Sequence, residues 1–196
     1  MASDGNIPGV RQLLLRALFL VSLLLVPRLE ARAEDGADVV VRVEVHGRVV
    51  SVQAELVIPA SQQKVWDVLT DFDNLPRFLT NIATSKVLSR QGNTVRVAQT
   101  GTTSFGPLTI EFQSEREITL MPIDGFESRM LSGNMKQYRG STRLEASGNG
   151  TRVVYQAEAV PDTILPPGLG ISLIQAETRE HYQEIRNEVL RRKEPR

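Results

Sequence analysis

Nothing in this chain narrows its fold as much as its last stretch, from Pro167 to Lys193. Ile171, Ile174, Thr178, Tyr182, Ile185 and Val189 recur at steps of three and four, while Glu177, Glu180, Glu184, Asn187 and Arg191 fall on the opposite side. That spacing predicts a long amphipathic helix with one face to bury. From Val39 to Val160 the sequence alternates in short segments broken by Gly, Asn and Pro. The expected partner for the helix is therefore one antiparallel sheet curved around it.

At 196 residues the chain is long enough for one domain that buries more than half of its unfolded surface, which leaves room for a core and a cavity. Its 23 basic and 23 acidic residues cancel, so no basic field exists to draw nucleic acid, and no nucleic-acid partner is expected. There is no Cys. A disulfide framework is thereby excluded, and the absence also suits an oxidising compartment in which a free thiol is a liability.

Residues 1–33 have the layout of an export signal. Arg11 and Arg16 lead into the apolar run Ala17 to Val26, Pro27 breaks it, and Ala31-Arg32-Ala33 offers a small-x-small cleavage site before Glu34. The run falls short of the roughly 20 apolar residues a bilayer span needs; retention as an uncleaved anchor is the alternative. Cleavage after Ala33 would leave a domain of residues 34–196, periplasmic or secreted. That domain would hold 19 basic and 21 acidic residues, once Arg11, Arg16, Arg28, Arg32, Asp4 and Glu30 are removed.

In the exported part, the Val-rich segment Val39 to Ile58, with Gly47 in its middle, predicts a strand pair or one long bent strand. Ser61 can cap a short helix from Gln62 to Thr70, with Val65, Trp66, Leu69 and Phe72 on its apolar side. A second short helix or tight turn is predicted at Leu75 to Leu79. From Ile82 the period changes to two. Strands are predicted at Ala83 to Ser89, Thr94 to Thr103, Leu108 to Leu120, Gly125 to Leu131, Met135 to Ala146 and Thr151 to Val160. The separators Gly92-Asn93, Gly106-Pro107 and Gly148-Asn149-Gly150 carry turn chemistry. Such short connections pair sequential strands into a meander.

Several motifs stand in fixed order within this frame: Val65-Trp66-Asp67-Val68-Leu69-Thr70-Asp71-Phe72 with Leu75-Pro76-Arg77-Phe78, then Ser85-Lys86-Val87-Leu88, Gly133 to Lys136, Gly150-Thr151-Arg152-Val153 and Leu165-Pro166. With them the chain, over residues 49–193, resembles the helix-grip fold of the START-like superfamily. Within it the chain is similar to the branch of coenzyme Q-binding proteins and polyketide cyclase/dehydrase-like domains. The resemblance implies an α+β fold: a curved antiparallel sheet of about seven strands wrapped around a long C-terminal helix, with two short helices after the first strand. It also implies a hydrophobic cavity between sheet and helix for a lipid, quinone, sterol-like or polyketide molecule. It carries over no catalytic residue, because the matching motifs are structural and one fold hosts many functions.

Strand alternation names the residues that would face such a cavity. In Leu108 to Leu120 the inward set is Leu108, Ile110, Phe112, Ser114, Arg116, Ile118 and Leu120, so the apolar face takes Arg116 with it. A buried guanidinium is costly unless paired. Arg116 therefore needs a carboxylate, a path along which to snorkel to water, or the polar head of a ligand. The same alternation turns Tyr138, Gly140, Thr142 and Leu144 inward, and Val153, Tyr155, Ala157 and Ala159 beside them. Gly140, Ala157 and Ala159 are small where a filled core would need bulk, while Tyr138, Tyr155, Thr178 and Tyr182 bring hydroxyls to an apolar wall. Phe112, Arg116, Tyr138, Gly140, Thr142, Tyr155, Ala157, Ile174, Thr178 and Tyr182 are accordingly the expected ligand-binding residues.

His46 and His181 are the only histidines, and no Cys or carboxylate cluster stands at ligand spacing, so neither a metal site nor a cofactor is expected. His181 falls about 65° from the centre of the helix's inward stripe at roughly 100° per residue, which predicts a place at the surface edge. The segment Gly168 to Ile174 is apolar nearly all round and, with Leu165-Pro166-Pro167, forms a patch expected to lie under neighbouring loops. The cationic end, Arg191, Arg192, Lys193 and Arg196, suits the negative helix terminus and allows transient contact with anionic lipid. Three functions follow, in order: a monomeric carrier of a hydrophobic small molecule, a polyketide cyclase or dehydrase, and a protein-interaction module. The first ranks highest because no catalytic constellation is present.

Overall fold

The computed structural model describes residues 39–105, 108–161 and 169–193. The signal-like segment, the Leu165-Pro166-Pro167 stretch and Arg196 lie outside them. The strands are β1 (Val40–His46), β2 (Val49–Ile58), β3 (Ile82–Gln91), β4 (Thr94–Phe105), β5 (Leu108–Met121), β6 (Gly125–Gly133), β7 (Met135–Ser147) and β8 (Gly150–Pro161). They form one antiparallel sheet in the order β1-β2-β8-β7-β6-β5-β4-β3. The sheet has eight strands where about seven were expected, because Gly47 splits the first Val-rich segment into a hairpin. Gly47, Gly92 and Gly148 each have φ near +60° and open a two-residue loop, between His46 and Val49, Gln91 and Thr94, and Ser147 and Gly150. Glycine supplies the positive φ that the tight hairpin turns require at their first position.

Between β2 and β3 the chain crosses to the far edge of the sheet through helix α1 (Gln62–Leu69) and a 3₁₀ turn (Phe72–Arg77). Ser61 caps α1 by accepting from the Lys64 N–H at 3.3 Å. Gln62 Nε2 donates to the Ile123 and Leu144 carbonyls at 2.7 and 3.2 Å, fastening the start of the helix to the β5–β6 turn and to β7. Helix α2 (Leu169–Arg191) then packs against β1, β2 and α1.

The core lies where α1, the C-terminal half of α2 and the sheet meet. Ile58, Val65, Val68, Val153 and Val189 have no exposed surface. The end of α2 is clasped there by charge. Buried Glu188 accepts from Arg191 and Arg192, and Arg192 also reaches Asp71 at 2.8 Å while lying 5.5 Å from the Phe78 ring. Arg191 first, then Arg192, holds the Glu188 carboxyl below the usual carboxylate range. Arg191 and Arg192, two of the cations at the basic end of the helix, are thus engaged in ion pairs.

Two carboxylates assigned by periodicity to the water side of α2 also have partners in the fold. Glu184 accepts from the Thr80 N–H at 3.1 Å, and Glu177 accepts from Asn81 Nδ2 at 3.4 Å. Leu173, which points away from the inward stripe, is buried.

Candidate functional site

Where the core ends, sheet and helix separate around a cavity of about 360 Å³. Its floor is apolar: Leu69, Phe72, Leu75, Ile118, Phe126 and Ile185 line it, with Phe72 and Phe126 meeting edge to face at 6.4 Å between centroids. The walls are set by β-strand alternation. Phe112 and Arg116 come from β5, Ser128 and Met130 from β6, Tyr138, Gly140 and Thr142 from β7, and Tyr155 from β8. Thr178, His181 and Tyr182 close it from α2.

Two irregularities open this end of the sheet. A register shift beside Arg116 sets it opposite Met130, with Ser132 opposite Glu115, so Leu131 is left out of the ladder and Met130 is aimed at the cavity. β6 and β7 pair only as far as Arg129 and Arg139. Beyond that pair Met130, Asn134, Met135 and Tyr138 line the space between the parted strands.

Arg116 and Glu177 bring opposite charges to this cavity. The Arg116 guanidinium donates from Nη2 to Gln99 Oε1, which is in turn held by a 3.1 Å bond from Gln99 Nε2 to Ser85 Oγ, and it lies 5.8 Å from the centre of the Tyr138 ring. Its Nε is buried with no hydrogen-bond partner. Among the described residues no carboxylate forms an ion pair with it. Asn81 Oδ1 is a second buried lining atom without a partner. Such atoms are rare in native proteins and mark places where water or a ligand completes the bonding.

The hydroxyls of Tyr138 and Tyr155 stand 3.3 Å apart, and the Tyr155 and Tyr182 rings touch at 5.6 Å between centroids. Burial, then the neighbouring phenols, pushes Tyr155 well above the ordinary tyrosine range. Tyr182 is pushed up as well, chiefly by burial. Both remain O–H donors at any physiological pH. His181, packed edge-on against Tyr182 at 5.4 Å, is pushed down to about 4, first by burial and then by the Arg116 charge. It is a neutral imidazole at neutral pH.

Eight of the ten residues expected at the ligand site line the cavity: Phe112, Arg116, Tyr138, Gly140, Thr142, Tyr155, Thr178 and Tyr182. Ala157 and Ile174 do not. Ala157 is buried in register between Val52 and Gly140, and Ile174 is half-buried outside the lining. The void expected over Gly140 is occupied, because a Cβ there would stand 2.6 Å from Tyr138 Oη and 3.1 Å from Tyr138 Cζ. The glycine is the seat on which that ring folds back. His181 lines the cavity instead of the surface edge, since a sheet curved around a helix touches more of its circumference than one stripe. Gln99 was missed, although it shares the inward face of β4 with Val95 and Val97, so alternation carried the signal.

Sheet, gripped helix and hollow interior together define a helix-grip ligand-binding domain of the START-like superfamily. The chain belongs to the family described as polyketide cyclase/dehydrase and lipid transport, which matches residues 58–184. No curated protein sequence matches it. Among solved structures it is similar to a STAR-related lipid transfer protein from Xanthomonas axonopodis, with TM-score 0.65 and 17% identity over 81% of this chain and 97% of that one. It is also similar to a protein from Thermus thermophilus, with TM-score 0.63 and 23% identity over 71% and 97% of the two chains. The Zhui aromatase/cyclase from Streptomyces sp. R1128 aligns with TM-score 0.61 and 16% identity over 74% and 95%. Among the described residues no cluster of His, Asp and Glu is placed to hold a metal ion, and no helix is long and apolar enough to cross a membrane.

Proposed function

We propose that this protein binds and carries a hydrophobic small molecule, of lipid, quinone or polyketide type, whose tail fills the apolar floor and whose polar head meets Arg116. The observation that carries this reading is the arginine itself: a half-buried side chain in the cavity wall, hydrogen-bonded to the neutral Gln99, with a buried Nε that has no partner. A head group that is anionic or presents a carbonyl oxygen would complete its bonding, and a charge-assisted bond of that kind is worth about 1.5–3 kcal/mol. The volume of about 360 Å³ lies in the range of small-molecule sites. The family description and the lipid transfer protein among the similar structures support the same reading. Carriage would take place in the periplasm or outside the cell, with residues 1–33 removed as an export signal.

A cyclase activity is the second reading, favoured by one grouping: a fixed cation, three tyrosine phenols and a neutral imidazole line a single cavity. Arg116 would stabilise an enolate there and His181 would accept a proton. Native mass spectrometry of the protein taken from its own compartment separates the readings. A bound amphiphile released unchanged is expected, and its conversion to product on incubation assigns the enzyme. Preparations that never contain a small molecule, with bare protein that takes up no fatty acid, quinone or polyketide analogue, overturn both. Intact mass of the exported chain tests the processing: a mature form that still contains Met1 to Ala33 refutes cleavage.

A further inference from the structure

The two free edges of the sheet are built differently. β3 is interrupted by register irregularities between Ile82 and Thr84 and between Val87 and Ser89, which twist an edge away from partners. β1 has none. It pairs with β2 in one unbroken register from Val40↔Glu55 to His46↔Val49, contains neither Pro nor Lys, and leaves Val40 53% and Val45 46% exposed. Among the described residues this edge carries neither a bulge nor a proline.

The hairpin loop determines which backbone groups of β1 are free. Because Gly47 and Arg48 form a two-residue loop, His46 and Val49 are its hydrogen-bonded closing pair. Alternation then turns the N–H and C=O of Val40, Arg42 and Glu44 toward β2, and those of Val41, Val43 and Val45 away from it. No described strand lies beyond β1 to receive them.

The side chains supply the partner. About Val43 the strand is chemically self-complementary: Arg42 and Glu44 flank it, then Val41 and Val45. We propose that β1 is a homodimer interface, in which two copies pair antiparallel about a two-fold axis through Val43 and join their sheets into one. Val43 then meets its twin, and Val41 meets the partner's Val45, both through the backbone groups left free by β2. Arg42 meets the partner's Glu44, and Glu44 the partner's Arg42. The neighbouring symmetric registers fail on charge, since centring on Arg42 sets arginine against arginine and centring on Glu44 sets glutamate against glutamate. A shift by one residue would turn the valines to the wrong face. On this proposal the protein is an isologous dimer, where the sequence led to the expectation of a monomer.

Sedimentation equilibrium of the purified full chain tests this with four proteins. The native chain is expected to dimerise, more weakly as salt rises. Arg42→Glu turns both cross-strand pairs into repulsions and should weaken the dimer by about tenfold or more. The double variant Arg42→Glu with Glu44→Arg restores the pairing in mirror order and should recover it. Val45→Lys, which puts a charge on an already exposed edge position, should give monomer with an unchanged far-ultraviolet circular dichroism spectrum. A native chain that stays monomeric at every concentration overturns the proposal. So does a dimer indifferent to Arg42→Glu, or a double variant no better than the single one.

Discussion

The two ends of the space between helix and sheet are made from the same elements and behave oppositely. At one end Val189 of α2 joins a solid core in which Ile58, Val65 and Val153 have no exposed surface. At the other, Thr178 and His181 of the same helix face a hollow in which a guanidinium and an amide oxygen keep unpartnered atoms. The closed end is packed with aliphatic side chains, and Glu188, Arg192 and Asp71 clasp its rim. The open end is aromatic and polar, and its strands part. The contrast teaches that stability and binding have been given to different halves of one interface, so each half can be altered with little effect on the other.

The largest expected effect breaks the closed end. Ile58→Ala removes a fully buried side chain outside the cavity lining, and should lower unfolding free energy by about 2–5 kcal/mol. Affinity for ligand at a temperature where the variant is folded should stay unchanged. Urea denaturation beside calorimetric titration checks both halves of the statement.

His181 ties the open end to pH. Its folded value is depressed to about 4, so above the ordinary histidine range folded and unfolded chains are both neutral there. As pH falls below that range only the unfolded chain takes up the proton. Stability contributed by the neutral ring is therefore lost between about pH 6.5 and 4, on the order of 3 kcal/mol, and levels off below. His181→Gln should flatten that part of the stability curve, and an unchanged slope would separate His181 from it.

Arg116→Met sharpens the comparison from the binding side. Affinity for the ligand should fall by about 1.5–3 kcal/mol, while the ligand-free protein loses little stability because a desolvated charge has been removed. A large loss of stability at constant affinity would assign Arg116 to the scaffold. The smallest effect is expected from Gly140→Ala, whose Cβ would push the Tyr138 hydroxyl off its seat and away from Tyr155. Affinity should change by about 0.5–1.5 kcal/mol with an almost unaltered melting temperature.

The closed end was legible in the sequence because period alone determines it. Alternation in β4, β5 and β8 and the spacing of Tyr182, Ile185 and Val189 name residues that the structure buries. The open end was half legible. Arg116 emerged because alternation does not spare a charge, and Gln99 was available by the same rule. His181 and Glu177 were misplaced because a helical wheel assumes a flat partner, whereas this sheet curves around the helix. The fold of Tyr138 over Gly140 depends on a rotamer, which no periodicity encodes. Asn81 lines the cavity because a loop is pinned to the helix through Glu184, a contact across a large sequence separation.

The pairing of β2 with β8 has a consequence in time. Val50 is set against Ala159 and Ile58 against Thr151, so the strand made almost first can bond on that side only when the strand made last exists. The final helix, which covers both, comes later still. Contacts this distant in sequence slow folding, because the loop between them is closed before anything rewards it. A ribosome-bound chain short of β8 therefore holds the β1–β2 hairpin with its second edge bare. The sheet therefore closes late, once β8 has been made, and the chain stays incompletely folded until then.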